Sequence, residues 1–444
     1  MDTKIENRVE ETPKCNIIDE NQIKEIAQRY LCVGGKWYKK SVDPVLGQEM
    51  LVPISPAMLI DTNGEEIEKD IRQKILKVAP KYLGRTNIPS HIGYSECIVN
   101  IQGDRYYNSY RPLKYKPQDG NWPHVEQLIR HIFGEQYEEG LDYLQLMYTK
   151  PLRHLPVLLL VSRETGTGKS TFWNFVREIF GENASPLTQD TLESRFTAPW
   201  ISKLVVCVEE TNTDDRNKVK TNEKLKTIAL AEMLPSEGKG TNWVQTVTFV
   251  KIILCSNNEA DPIRIDPEDT RIWARKIPKL PKGSPGVDFM DDLKKEIPAF
   301  LAFLLRREMH TRDSGRLWFD VVKLRTPAWH EIVNNSQSPL EKELREILLD
   351  IMYSTGLDSL DYDQTALIKL CEDLKLSKRL RCSITSSDIS TILKRWGVQA
   401  SKIACRIKYY LISEIGGQPI LYEKVGKKVK IFKKNLYKSN NGVV

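Results

Sequence analysis

The stretch that most restricts the fold is PVLLLVSRETGTGKSTFWNFVREIFG, residues 156–181. Its opening apolar run lacks the alternation of a half-exposed strand, so it predicts a strand buried on both faces, the kind found inside parallel sheets covered by helices. From Phe172 the pattern changes period. Phe172, Trp173, Val176, Ile179 and Phe180 fall on one helical face that can pack on the sheet, and Gly181 is the stop. Between strand and helix, SRETGTGKST nearly matches the phosphate-binding pattern G-x-x-x-x-G-K-[ST]. Such a loop works because glycines let backbone N–H groups converge on an anion, the following helix presents its positive end, and a lysine reaches the outer phosphates. Thr165, Gly166, Thr167, Gly168, Lys169, Ser170 and Thr171 are the candidates, with Ser170 offering its hydroxyl to Mg2+. Arg163 stands where the first glycine belongs. If that position needs a positive φ, arginine is strained there, and the alternative is an ordinary strand, turn and helix.

The residues downstream bear on that choice. Forty residues after Lys169, the apolar strand LVVCVEE ends in Glu209 and Glu210, where one carboxylate can hold a hydrated metal and the other polarise an attacking water. A further strand, VKIILCSNN, ends in Asn257 and Asn258; an amide there can contact a terminal phosphate, or simply make a polar turn. DPEDTRIWARK then supplies Arg271 and Arg275, either of which can neutralise charge developing in a neighbouring subunit's site. Each signal has a bland reading in isolation. Their order and spacing together point to nucleotide hydrolysis.

Alternating strands and helices over 155–280 predict a largely parallel α/β core. HVEQLIRHIFG, with Val125, Leu128, Ile129, Ile132 and Phe133 at helical spacing and Gly134 as stop, leads into it, and a helix is expected at 297–309. The expected domains are an α+β accessory domain at 1–120, this core with its helical lead-in at 121–333, and a third domain at 340–444 after a linker, NNSQSP. In the first, runs such as GGKWYKK and DRYYNSYRPLKYKP read as hairpins; their aromatics either stack single-stranded bases or pack across strands. In the third, helical patterns precede the strand-like YYLISEI and KVKIFKK, a winged-helix-like order suited to fork or duplex DNA. DYD at 361–363 reads as a polar loop, and no acidic polymerase constellation stands out in the first 120 residues.

Charge supports a polyanionic partner. Residues 375–444 hold 16 Lys+Arg against 3 Asp+Glu, a balance of +13, so that of the overall +7 the first 374 residues contribute −6. A solvated charged face is the alternative. No apolar run approaches the length of a membrane span, and the polar, acidic start MDTKIENRVEETPKCN differs from a secretory leader, so a cytoplasmic location is expected. The eight cysteines show no C-x-x-C pair, which argues against a zinc site or a disulfide framework; Cys207 and Cys255 fall in strand-like runs as small buried hydrophobes.

The ordered set ETGTGKST, VVCVEET, SEGKGTNWVQTVTFVKIILCSNN and DTRIWARKIP resembles the superfamily 3 helicases, AAA+-type ring ATPases of viruses and mobile elements. More closely, it resembles the helicase part of the primase-helicase proteins of phages and mobile elements, whose members also commonly lack the first loop glycine. The resemblance implies ATP and Mg2+ as cofactors, with phosphate and metal on Lys169 and Ser170, metal and water carboxylates at Glu209 and Glu210, a sensor at Asn258 or Asn257, and an arginine finger at Arg275 or Arg271. Asn258 and Arg275 are favoured. It further implies a homo-oligomeric ring, a hexamer, with ATP between subunits, and a hairpin at EGKGTNWVQTV that carries Lys239 to single-stranded DNA in the pore. Movement 3′ to 5′ is implied in the same way, and a primase acting in trans is a candidate partner that the sequence itself does not reveal. The expected function is an ATP-dependent DNA helicase or translocase in replication. The rivals are a DNA-binding ATPase that loads or senses at an origin or fork without unwinding, and a non-catalytic nucleic-acid-binding protein with a vestigial loop.

Overall fold

The computed structural model describes residues 19–44, 49–59, 67–209, 215–238, 243–266, 269–280, 286, 288–336, 338–355, 360–380, 383–396, 400–404, 407–412, 422–425 and 428–431. The chain divides into two compact units, Met1–Leu113 and Lys114–Val444.

In the first unit, helices Glu20–Gln28 and Lys69–Val78 cover one face of a four-stranded sheet. Strands Tyr30–Val33 and Lys36–Val42 form a hairpin whose two turn residues, Gly34 and Gly35, have φ of 57° and 77°. That geometry is the reason for the glycine pair. Tyr107 and Tyr110 of the aromatic-rich run are buried, and Trp37 and Tyr38 pack partly into the two cores. For these four residues the cross-strand packing reading holds.

The second unit is built on five parallel strands. In chain order these are β1 (Val157–Val161), β2 (Ala184–Leu187), β3 (Val205–Glu209), β4 (Lys251–Ser256) and β5 (Ile272–Lys276), arranged across the sheet as β5-β1-β4-β3-β2. All five residues of β1 and all six of β4 are buried, as strands covered on both faces require. β2 and β5 form the edges. Pro186 in β2 fits there, since an edge strand need not donate from both sides.

Register brings the carboxyl ends of the strands to one edge. Ser256 and Lys276 flank Val161, and Glu209 lies opposite Cys255. Cys207 and Cys255 are both buried, with sulfurs 3.9 Å apart.

Helices close over the sheet. Those that position the site are α1 (Pro123–Phe133), α2 (Tyr137–Thr149), α3 (Lys169–Phe180), α4 (Asp215–Leu230), α5 (Phe289–Arg306) and α6 (Pro327–Asn335). The five apolar residues read for α1 are all buried, and Gly134 ends it at φ 49°. α2 approaches so closely that a Cβ at Gly140 would lie 2.3 Å from the Phe133 ring. Around that contact, Phe133 meets Phe172 at 5.7 Å and Trp273 at 5.3 Å, centroid to centroid, joining α1, α3 and β5. Each such ring contributes about 1.5–3 kcal/mol by burial, so Trp273→Ala would loosen all three elements together.

Three expectations change. α5 starts eight residues before the expected 297, because its first turns, FMDDLKKE, are charged and hide the period. The NNSQSP linker is largely structure: Asn334 and Asn335 end α6, and the buried Ser336 hydroxyl accepts from the Ile265 N–H at 3.1 Å. Asp361–Asp363 belongs to the strand Leu360–Asp363 rather than a loop, and Asp363 caps the next helix through Ala366 N–H at 2.7 Å.

Beyond Pro339 the order is helix Pro339–Thr355, strand Leu360–Asp363, helices Gln364–Asp373, Leu376–Leu380 and Ser386–Arg395, then strands Ala400–Ala404 and Ile407–Ile412 and a separate antiparallel pair, Tyr422–Val425 with Lys428–Ile431. Strand Ile407–Ile412 lies central and antiparallel to Leu360–Asp363 and Ala400–Ala404. The helices share a separate apolar cluster around Leu344, Leu367 and Ile389. Among the described residues no helix is long and apolar enough to cross a membrane.

Candidate functional site

β1 ends at Val161 and α3 begins at Lys169, so the loop between them lies at the carboxyl edge of the sheet, where open α/β folds bind ligands. Gly166 and Gly168 take φ of +66° and +88°. These are conformations that cost a residue with a Cβ about 1 kcal/mol or more, which is why glycine stands at both. Among the described residues only Trp318 and Lys375 carry side chains at positive φ, so Arg163 is not in a conformation that needs glycine. Its N–H donates to Glu259 Oε2 at 3.1 Å, and Glu259 also pairs with Lys276 at the end of β5. A carboxylate from the neighbouring loop thus fixes the start of the turn.

Thr165 and Gly166 are exposed, Thr167 and Gly168 buried, and Gly168 is the N-cap of α3. Ser170 is exposed and Thr171 half-buried in the first helical turn. Lys169 is 7% exposed, and its ammonium donates to Thr167 Oγ1 at 3.2 Å and to Asn257 Oδ1 at 3.1 Å. Both acceptors are neutral. Burial pulls the Lys169 pKa below the usual lysine value, the response of a cation short of compensating charge. Such a group fits an incoming anion, and the free N–H groups that begin a helix fit it too. Glu209, exposed at the end of β3, is on the same edge as Asn257 and supplies the carboxylate that a divalent ion beside Ser170 would need.

The two asparagines differ. Asn258, favoured from the sequence, is committed locally: its amide donates to the Asp261 carbonyl at 2.7 Å and its Oδ1 accepts the Asp261 N–H at 3.0 Å. Asn257 is the one that meets Lys169.

The arginines differ as well. Arg275, favoured as the finger, is turned into its own chain, donating to the Phe133 carbonyl and to Gln136 Oε1 at 2.9 Å, and burial lowers its pKa. It ties β5 to the end of α1. Arg271 sits at the opposite edge of the sheet, where its carbonyl accepts from Val157 N–H at 2.8 Å; its guanidinium lies 3.5 Å from Asp269 and is partly exposed. Glu210 and Lys239 lie outside the described residues.

Sequence reading missed His131, whose Nε2 lies 2.9 Å from the Thr167 carbonyl. It falls off the apolar stripe of α1, so no periodicity marks it. Also unread was the outer face of the hairpin formed by Met233–Ser236 and Val244–Val247. Met233 and Val247, directly paired at its root, are 52% and 54% exposed, and Trp243, just before Val244 at the other end, is 61% exposed. The hairpin is anchored by Thr197, which donates to the Pro235 carbonyl at 2.5 Å and accepts from Glu237 N–H at 3.2 Å.

Among families, one of unknown function, DUF5906, matches residues 160–275, which run from the strand before the loop to β5. No curated protein matches. Among solved structures, the apo form of the NrS-1 C-terminal region (305–718) is similar, with a TM-score of 0.56 and 17% identity over 85% of this chain and 96% of that one. An A-form apo structure of the same region gives 0.56 and 17% over 87% and 96%. Another, of residues 305–718, gives 0.52 and 18% over 84% and 96%. At this identity the likeness is one of fold.

Proposed function

We propose that this chain is an ATP-dependent DNA helicase or translocase acting in replication of a phage or mobile element, assembled as a hexameric ring with ATP between subunits. The observation that carries the reading is the buried Lys169 ammonium, whose hydrogen-bond acceptors among the described residues are the neutral oxygens of Thr167 and Asn257, in a loop shaped by two positive-φ glycines, on the edge where Glu209 and Asn257 also end. Lys169 and the first N–H groups of α3 would hold the phosphates of ATP; Ser170 and Glu209 would hold Mg2+, which supplies charge neutralisation during phosphoryl transfer. Glu210 is the residue proposed to orient water. Asn257 replaces Asn258 as the sensor, and Arg271 replaces Arg275 as the arginine offered to a neighbouring subunit.

DNA contact is proposed at two places. The hairpin offers Lys239 to phosphate, and the exposed Trp243 ring beside it offers a stacking surface for bases. The order helix, strand, helices, strands beyond Pro339, with Ile407–Ile412 central in its sheet and a separate hairpin after it, supports a winged-helix-like domain, and its excess of basic residues suits fork or duplex DNA. A primase acting in trans and a cytoplasmic setting complete the proposal.

The test is ATP hydrolysis with and without DNA, together with displacement of a forked strand. Lys169→Ala should lower DNA-stimulated hydrolysis by about a hundred-fold or more. An unchanged rate removes the site. Hydrolysis by the wild type without strand displacement would favour a loader or sensor.

A further inference from the structure

A phosphate loop must turn its N–H groups toward the anion, and at one peptide that orientation is imposed from outside the loop. The Thr167 carbonyl is 2.9 Å from His131 Nε2 in the last turn of α1. A carbonyl only accepts, so Nε2 carries the proton in this contact. The same ring roofs the next residue: a Cβ on Gly168 would lie 3.5 Å from His131 Cδ2 and 3.8 Å from Leu280 Cδ1. In a trans peptide the C=O and the following N–H point in opposite directions. With the Thr167 carbonyl held toward α1, the Gly168 N–H faces away from it.

We infer that His131 is a positioning residue, which sets the Thr167–Gly168 peptide so that the Gly168 N–H faces the triphosphate. This rests on the nucleotide-binding reading above. α1 is suited to the task because both its ends are clamped. Glu296 of α5 accepts the His124 and Val125 N–H groups at 2.9 and 3.0 Å, and Arg275 of β5 holds the Phe133 carbonyl at the other end. The helix thereby acts as a fixed template against which the His131 contact sets the loop, a contact made by protein atoms alone. Its loss should therefore weaken binding of ATP in ground state and transition state alike, raising KM without lowering kcat.

The experiment compares wild type, His131→Phe and His131→Gln by calorimetric titration with ATP, steady-state hydrolysis and nucleotide-free thermal unfolding. Phenylalanine keeps the ring but cannot donate; glutamine can place an amide N–H near the position of Nε2. His131→Phe should weaken ATP binding and raise KM by about five- to ten-fold with kcat within about two-fold, and His131→Gln should restore most of the loss. The inference is overturned if His131→Phe binds ATP as the wild type does, or if both variants weaken equally and melt lower. Should His131→Phe not fold, His131→Asn, whose amide is too short to reach, takes its place with the same expectations. A wild type that fails to bind ATP would remove the nucleotide reading itself, an outcome distinct from a binding wild type indifferent to His131.

Discussion

Two lysines are buried at opposite edges of the same parallel sheet, and among the described residues neither is hydrogen-bonded to a carboxylate. At the carboxyl edge, Lys169 donates to side-chain oxygens of Thr167 and Asn257, with exposed polar loop around it. At the amino edge, Lys251 donates to the main-chain carbonyls of Pro151 and Phe249, the latter at 2.7 Å, and burial pushes its pKa down to about 7. The partners separate the roles. Side-chain oxygens can turn away when an anion enters, whereas carbonyls fixed by the backbone cannot. On the proposed reading Lys169 is the cation that receives the phosphates, whereas Lys251 is a strut between the turn after α2 and the root of the hairpin.

The largest effect should come from Lys251. Its pKa is about 7 when folded, against 10.5 for an ordinary lysine. Between these values the unfolded chain binds a proton that the folded chain does not, so stability rises with pH across the window and the full penalty applies below about 7. That penalty is on the order of 5 kcal/mol. Lys251→Met should remove most of this rise, read as denaturation midpoints from pH 7 to 10; an unaltered slope would mean that water reaches this ammonium and that the two lysines are not so different.

A smaller loss is expected at Arg275. Arg275→Ala removes the tie between β5 and α1 and should lower stability by about 2 kcal/mol while hydrolysis per folded molecule stays within about two-fold. A variant as stable as the wild type yet inactive would return Arg275 to the role of finger.

The finest distinction lies between the asparagines. Asn257→Ala, which strips Lys169 of an acceptor, should reduce hydrolysis by about ten-fold, and Asn258→Ala should act on stability through the Asp261 turn instead. If Asn258→Ala proves the inactive one, the loop edge has been read the wrong way round.

How much of this was legible in the sequence depended on burial. β1, β3 and β4 are central strands with apolar side chains on both faces, and their runs announce them. β2 and β5 are edges; ASPL carries a proline and a serine, and RIWARK mixes three cations with its apolar residues, so neither shows a strand's period. Within the site, Gly166 and Gly168 were readable because positive φ selects glycine. Which asparagine or which arginine serves was not, since the asparagines differ in the direction their side chains take after folding and the arginines in the edge of the sheet that each occupies. His131 left no trace because a single polar contact has no periodicity.

The hairpin springs from the amino edge of the sheet, whereas ATP is proposed to bind at the carboxyl edge. α4 is the segment of chain that returns from the end of β3 toward the root of that hairpin, sixteen residues, or about 24 Å of helix. Its Leu225, Ile228 and Ala229 are locked into the core, and Lys226 grips Asp266 at 2.7 Å. Such a rod bends little, so a small rotation imposed beside the phosphates would arrive nearly undiminished at Met233, where the hairpin begins, as the far arm of a lever follows the near one.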